Sequence, residues 1–230
     1  MIGIIGAMQA EVDGLIREIE GLRTEEIGGF VFRLGRIGRR EVAVVRGGVG
    51  KVNAAVCAQT MILSYRPEVI INTGVAGSLS PELDILDVAV ATDAVQHDYD
   101  TSAIGEPCGA LSIAGTLVTY LPCDAAWRGR LLAAAEEVGV KGVPARIASG
   151  DQFISRREDK RRIIDTFGAQ ACEMEGGAIA QAAYIAGIPC AILRAISDST
   201  DGNHSMEYGA FMERAAVNSC RILTRALRAE

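Results

Sequence analysis

Short, nearly continuous apolar runs recur along the chain, separated by longer stretches in which apolar residues return every three or four positions. Runs at Met1–Ile5, Asp87–Val95, Val143–Ala148 and Cys190–Ile196 have strand length and few charges, and Cys190–Ile196 has the pattern of a strand covered on both faces. Phe30–Leu34 and Glu41–Arg46 read as two strands joined by a glycine-rich turn, and Glu68–Asn72 as a short strand that ends in the glycine turn Thr73–Gly77. Between them the spacing predicts helices over Ala7–Gly21, with Val12, Leu15, Ile16 and Ile19 on one face, and over Lys51–Tyr65, Ala125–Val138 and Arg156–Phe167. A helix of small residues runs from Met174 to Ala186 and is stopped by Gly187-Ile188-Pro189; an amphipathic helix over Met206–Ala229 closes the chain. Gly105–Asp124 follows neither period. Alternating strands and helices predict a layered α/β fold, and the 230 residues, with no Pro/Ser-rich linker or charge block, predict one domain over 1–230.

Composition narrows the classes. A chain 49% hydrophobic and 23% charged has ample core for a globular protein. Its net charge of −6, with no basic stripe, argues against nucleic acid as a partner. The basic residues between Arg156 and Arg162 alternate with Glu158 and Asp159 and read as a solvated helix face. Six cysteines without a Cys-x-x-Cys pair predict reduced thiols and a cytoplasmic location. His97 and His204 are too few for a histidine-rich metal centre, and no apolar stretch is long enough to cross a membrane.

The chemistry gathers where strands end. Ligands of open α/β sheets sit beyond the carboxyl ends of the strands. The predicted strand exits at Gly6, Gly47, Gly74, Ser149 and Asp198 carry glycines and acids. Glu11 falls in the first turn of the helix after the first strand, and Glu173 and Glu175 fall at the entrance of the small-residue helix; each acid also suits a helix N-terminus for its dipole alone. Arg194, inside a strand of buried type, requires a partner, and a nearby carboxylate is the natural one. Phe153, between polar residues at a strand exit, is placed to cover a flat ligand. Gly47–Lys51 superficially resembles a phosphate loop but lacks the Ser/Thr after its lysine.

Six collinear segments carry a family resemblance: Gly3–Met8 with Glu11, Gly48–Val52, Asn72–Gly77, Ser149–Ile154, Glu173–Glu175 and Arg194–Asp198. Together they resemble the nucleoside phosphorylase/hydrolase family, and the Glu11 context with Glu-Met-Glu resembles its 5′-methylthioadenosine/S-adenosylhomocysteine nucleosidase branch. The resemblance implies a three-layer α/β/α sandwich around a mixed, twisted sheet, cleavage of an N-glycosidic bond, no metal or organic cofactor, and a homodimer. It implies Asp198 as general acid toward the adenine N7, oriented by Ser197, and Glu11 as the group that activates water, aided by Arg194. Glu175 would bind the ribose hydroxyls beside Met174, with Glu173 in the same cluster. Phe153 would stack on adenine, and the Ile154 backbone would read its edge. Met8, Val49 and Tyr208 would line the ribose and alkylthio pocket. Thr101 and Ile104 would reach a neighbouring subunit's pocket. Val75 stands where a small polar residue is expected, and Ile104 where an aromatic is common. A phosphorolytic purine nucleoside phosphorylase, a 6-amino-6-deoxyfutalosine nucleosidase and a non-catalytic nucleoside-binding protein are the alternatives.

Overall fold

The structure, a computed structural model, describes residues 1–198 and 208–229, the side chains of residues 208–211 excepted. Strand β1 (Ile2–Gly6) leads to helix α1 (Gln9–Arg17), strands β2 (Glu20–Ile27), β3 (Phe30–Ile37) and β4 (Arg40–Arg46), helix α2 (Lys51–Tyr65) and strands β5 (Val69–Ser78) and β6 (Val88–Gln96). A 3-10 turn at Ser102–Ile104 precedes the hairpin β7 (Leu111–Ile113) and β8 (Thr116–Val118), short β9 (Leu121–Pro122) and helix α3 (Ala125–Glu137). Then follow β10 (Gly142–Ser149), α4 (Arg157–Phe167), β11 (Ala171–Glu173), α5 (Gly176–Ala186), β12 (Cys190–Asp198) and α6 (Tyr208–Arg228).

Every strand outside the β7–β8 hairpin joins one sheet, in the order β11-β10-β6-β12-β5-β1-β4-β3-β2 with β9 on β6. Because β11 also pairs with β5, the half containing β5, β12, β6, β10 and β11 curls closed, while β1, β4, β3 and β2 extend from it as an arm. The sheet is mixed: β12 runs parallel to β5 and antiparallel to β6. Successive residues of β1 point to opposite faces, as the strand period requires. Ile2 and Ile4 pack with Val12 and Leu15 of α1, Leu131 of α3 and Leu223 of α6, whereas Ile5 packs with Cys57 and Met61 of α2 and Ile179 of α5. Helices therefore cover both faces, and the layered α/β/α expectation holds. Among the described residues no helix is long and apolar enough to cross a membrane.

Four local readings change. The first helix stops at Arg17, and residues from Glu20 onward form β2, whose edge position on β3 leaves most of its side chains exposed and removes any apolar period from its sequence. Thr73–Gly77 is no turn; it continues β5, flanked by β1 and β12. Its glycines make room for side chains of the neighbouring strand, since Gly74 lies opposite Arg194 and Gly77 opposite Asp198. A Cβ on Gly74 would fall 2.5 Å from Arg194 Nη1, and one on Gly77 would fall 2.7 Å from Asp198 Oδ1. The stretch Ala171–Glu173 is a strand, so the following helix begins at Gly176 and not at Met174. The fourth concerns α4, whose charged sequence is not wholly solvated: Lys160 is buried. The start of the last helix expected at Met206 lies outside the described residues.

Candidate active site

A cavity of about 160 Å³ opens where β1, β5, β11 and β12 end. Ala7, Met8 and Glu11 line it from the β1–α1 junction, Val49 from the loop before α2, and Val75, Ala76 and Gly77 from β5. Gln152, Phe153 and Ile154 come from the segment after β10, Cys172 to Glu175 from β11 and its exit, and Arg194, Ser197 and Asp198 from β12.

At one end, the Glu11 carboxylate is 2% exposed and caged by main-chain donors. Its Oε2 accepts from the N–H of Ala7 (2.7 Å) and Met8 (2.9 Å), and its Oε1 from the N–H of Val75 (3.2 Å). Burial pushes its pKa up; the Arg194 charge and the three amides pull in the other direction without cancelling the rise. The acid is thus fixed in place yet keeps affinity for a proton.

Arg194 is 1% exposed and ties the acidic residues together. One terminal nitrogen donates to Glu173 Oε2 and Asn72 Oδ1 and lies 3.5 Å from Glu175 Oε2; the other donates to the Val75 carbonyl (3.3 Å). Asn72 is itself oriented by donating to the Ile5 carbonyl (2.9 Å). Glu173 is occupied by the framework: it accepts from Ser149 Oγ, from the Glu175 N–H (3.0 Å) and from the Gly176 N–H (2.7 Å to Oε2) as well as from Arg194. Glu175 accepts one bond from the Gly50 N–H (2.9 Å). Its pKa rises to about 7, with burial the main cause, Arg194 opposing it and the Glu173 charge adding to it.

At the other end, Asp198 Oδ1 accepts from the Ser78 N–H (3.2 Å) and Oδ2 lies 3.5 Å from Lys160 Nζ. Burial raises the Asp198 pKa against the opposing pull of Lys160 and the Ser78 amide. The Ser197 hydroxyl, expected to orient Asp198, instead donates to the Ala76 carbonyl (3.5 Å). Phe153 is 62% exposed at the rim, unlike its neighbour Ile154, which is buried.

The residues read from the sequence as lining or catalytic therefore converge, with three exceptions. Thr101 and Ile104, expected at a neighbouring subunit's pocket, lie outside this chain's own cavity: Thr101 donates to Glu106 (2.8 Å), and Ile104 is 77% exposed. The side chain of Tyr208 lies outside the described residues. Sequence reasoning gave no supporting role to Ser149, Ser78 or Lys160, which form the layer beneath these residues. For Lys160 a signal existed, because it shares the apolar stripe of α4 with Ile163, Ile164 and Phe167 at helical spacing.

The family model described as the phosphorylase superfamily matches residues 1–228. A 5′-methylthioadenosine/S-adenosylhomocysteine nucleosidase of Treponema pallidum is 37% identical, over 98% of this chain and 92% of its own. An aminodeoxyfutalosine nucleosidase of Helicobacter pylori is also 37% identical, over 96% of this chain and 95% of its own. The solved structure of the 5′-methylthioadenosine/S-adenosylhomocysteine nucleosidase of Neisseria meningitidis with methylthio-immucillin-A superposes with a TM-score of 0.93 at 30% identity, covering 99% of this chain and 98% of that one. On both sequence and fold, this chain belongs to the phosphorylase superfamily, among its nucleosidases.

Proposed function

We propose that the protein hydrolyses the N-glycosidic bond of 5′-methylthioadenosine and S-adenosylhomocysteine, releasing adenine and the thioribose sugar. The observation that carries this reading is the placing of two acids along β5, Glu11 buried and Asp198 half-buried. Glu11 abuts the strand at Gly74–Val75 and Asp198 at Gly77–Ser78. Three residues of strand separate those contacts by roughly 10 Å. Pairs of carboxyl groups that cleave glycosidic bonds by direct attack of water stand apart on a similar scale, which leaves room for sugar and water between acid and base.

In this mechanism Asp198, whose raised pKa favours the protonated form, gives its proton to N7 as the bond from C1′ to N9 breaks and its electron pair moves into adenine. The ribosyl cation that develops is stabilised by the acidic cluster. Glu11 takes a proton from the water that attacks C1′. Glu175 keeps Oε2 toward Arg194 and binds the ribose hydroxyls, Phe153 covers the adenine face, and Met8 and Val49 meet the 5′ side.

Hydrolysis is favoured over phosphorolysis by the donors. The main-chain N–H groups that could cradle phosphate are spoken for: Val75 by Glu11, Gly47 by the Gly6 carbonyl (2.8 Å), Gly48 by the Ala7 carbonyl (3.1 Å), Gly50 by Glu175 and Lys51 by Asp151 (2.7 Å). An entering phosphate would meet the Glu11 charge with few donors in compensation. A second substrate, 6-amino-6-deoxyfutalosine, is favoured by one finding: a relative named for it matches as well as the methylthioadenosine enzyme does. The three nucleosides should be compared in one adenine-release assay, with Glu11→Gln beside the parent protein. The variant should bind nucleoside by calorimetry and release no adenine, and unchanged turnover would remove Glu11 from the mechanism.

The homodimer is supported by exposed apolar side chains on one outer face, Val52 (73% exposed), Val56 and Leu63 of α2, and by Ile104. A fully active monomer in sedimentation would overturn it. Six cysteines, none in a disulfide, support a reducing cytoplasm.

A further inference from the structure

We propose that Lys160 is a positioning residue for Asp198, whose ammonium group holds the carboxyl in register and stabilises the carboxylate left when the proton passes to the leaving base. The proposal rests on the reading of Asp198 as general acid.

Lys160 is an anomaly on its helix. Its neighbour Arg161 has a side chain 76% exposed and pairs along the helix with Asp165, as a solvated charge does. The Lys160 side chain is 4% exposed. It belongs to the stripe of α4 that carries Ile163 and Phe167 into a small apolar cluster with Leu79, Ile154 and Cys172. An ammonium group in such surroundings is costly unless a charge compensates it. Its Nζ reaches past the cluster to Asp198 Oδ2, at 3.5 Å.

Among the described residues, the charged or titratable groups facing Asp198 are Lys160 from α4 and the Cys172 thiol from β11. Cys172 is pushed up to about 12 by burial and stays neutral. From β5 Asp198 receives the Ser78 N–H, a dipole and not a charge. Among the described residues Lys160 therefore supplies a full positive charge beside the acid.

The step itself shows why that charge is useful. Before transfer Asp198 is a neutral acid. As its O–H bond breaks and N7–H forms, the oxygen keeps the bonding pair and becomes anionic beside Lys160. The attraction is stronger in the transition state than in the ground state, which is the condition for an interaction to raise kcat. Without Lys160 the carboxyl is a weaker acid.

The test compares Lys160→Met, Lys160→Arg and Asp198→Asn by the pH dependence of adenine release. Activity needs protonated Asp198 and falls as pH rises through the pKa of that group. Removing an opposite charge raises an aspartate pKa by about 1–3 units, so the alkaline limb of kcat and of kcat/KM in Lys160→Met should move to higher pH by that amount. Plateau kcat should drop about tenfold or more, with KM little changed. Lys160→Arg should restore the parental limb. Methionine suits the apolar cluster, and thermal melting reports folding; if the variant does not fold, Lys160→Gln gives the same readout. An unmoved limb in a folded, charge-free variant overturns the proposal, as does an arginine variant that shifts as far as methionine. Failure of the underlying reading looks different: Asp198→Asn would then retain the parental rate and profile.

Discussion

Glu173→Gln is the sharpest probe of the scaffold beneath the site. The two side chains have nearly the same shape, so the substitution opens no cavity. The hydrogen bonds are what change. Both Glu173 oxygens accept from N–H groups, Oε1 from Gly176 and Oε2 from Glu175, Gly176 and Arg194. Glutamine has one oxygen, so whichever way its amide turns, an NH₂ faces a main-chain donor. The change also leaves the guanidinium of Arg194, 1% exposed, without its closest counter-charge. Breaking a buried ion pair by removing one partner costs about 3–5 kcal/mol. Glu175, at 3.5 Å from Arg194, offsets part of this, which places the expectation at the lower end of that range. A domain is stable by only about 5–15 kcal/mol, so the loss is large enough to measure in urea at fixed protein concentration, with the slope unchanged. Activity should fall with it, because the Arg194 beside Glu11 loses its anchor. A Glu173→Gln protein within about 1 kcal/mol of the parent would refute the argument that Glu173 is the anchor of the site.

Three further outcomes are expected. Asp198→Asn should retain the fold and lose about 10²–10⁴-fold in kcat, read by adenine release, because the amide cannot act as the acid. Gly74→Ala should lose activity and about 1–3 kcal/mol of stability in thermal melting, since its Cβ would lie 2.5 Å from Arg194 Nη1 and 2.6 Å from Glu11 Oε1, neither of which has room to withdraw. Glu175, with its pKa raised to about 7 from the ordinary 4.5, holds a proton in the fold that the unfolded chain has released, so unliganded stability should decline as pH rises through that window. Denaturation at pH 5 and pH 8 should show that decline in the parent protein and a smaller one in Glu175→Gln.

Glu11, Arg194 and Asp198 were legible in the sequence from their places along the chain. Arg194 is a charge in a run otherwise fit for a buried strand, and the acids stand at strand ends among glycines. What the sequence hid was the reason for those glycines. Thr73–Gly77 has the composition of a turn, yet it is a central strand whose missing side chains are replaced by those of Arg194 and Asp198 across the ladder. That exchange is a tertiary fact, and no property of the segment itself announces it. Strand β2 was missed for the opposite reason: at the sheet edge, ladder hydrogen bonds hold it with little burial, and its charged residues carry no strand period. Lys160 was concealed by its neighbours, since a charged run averages to a solvated face even when one member lies on the apolar stripe. Glu173, placed by the sequence in the same cluster as Glu175, lines the cavity; its bonds to Ser149 and Arg194 are tertiary and left no mark on the segment.

In the proposed reaction water, and not phosphate, takes the sugar. Product analysis of 5′-methylthioadenosine turnover in phosphate-free and phosphate-rich buffer tests this. The occupied main-chain donors around Gly47–Lys51 and the carboxylate of Glu11 at the end of β1 predict equal rates of adenine release in both, with the free thioribose sugar as the second product. Activity that requires phosphate and yields the sugar 1-phosphate would contradict the account and return Glu11 to a structural role.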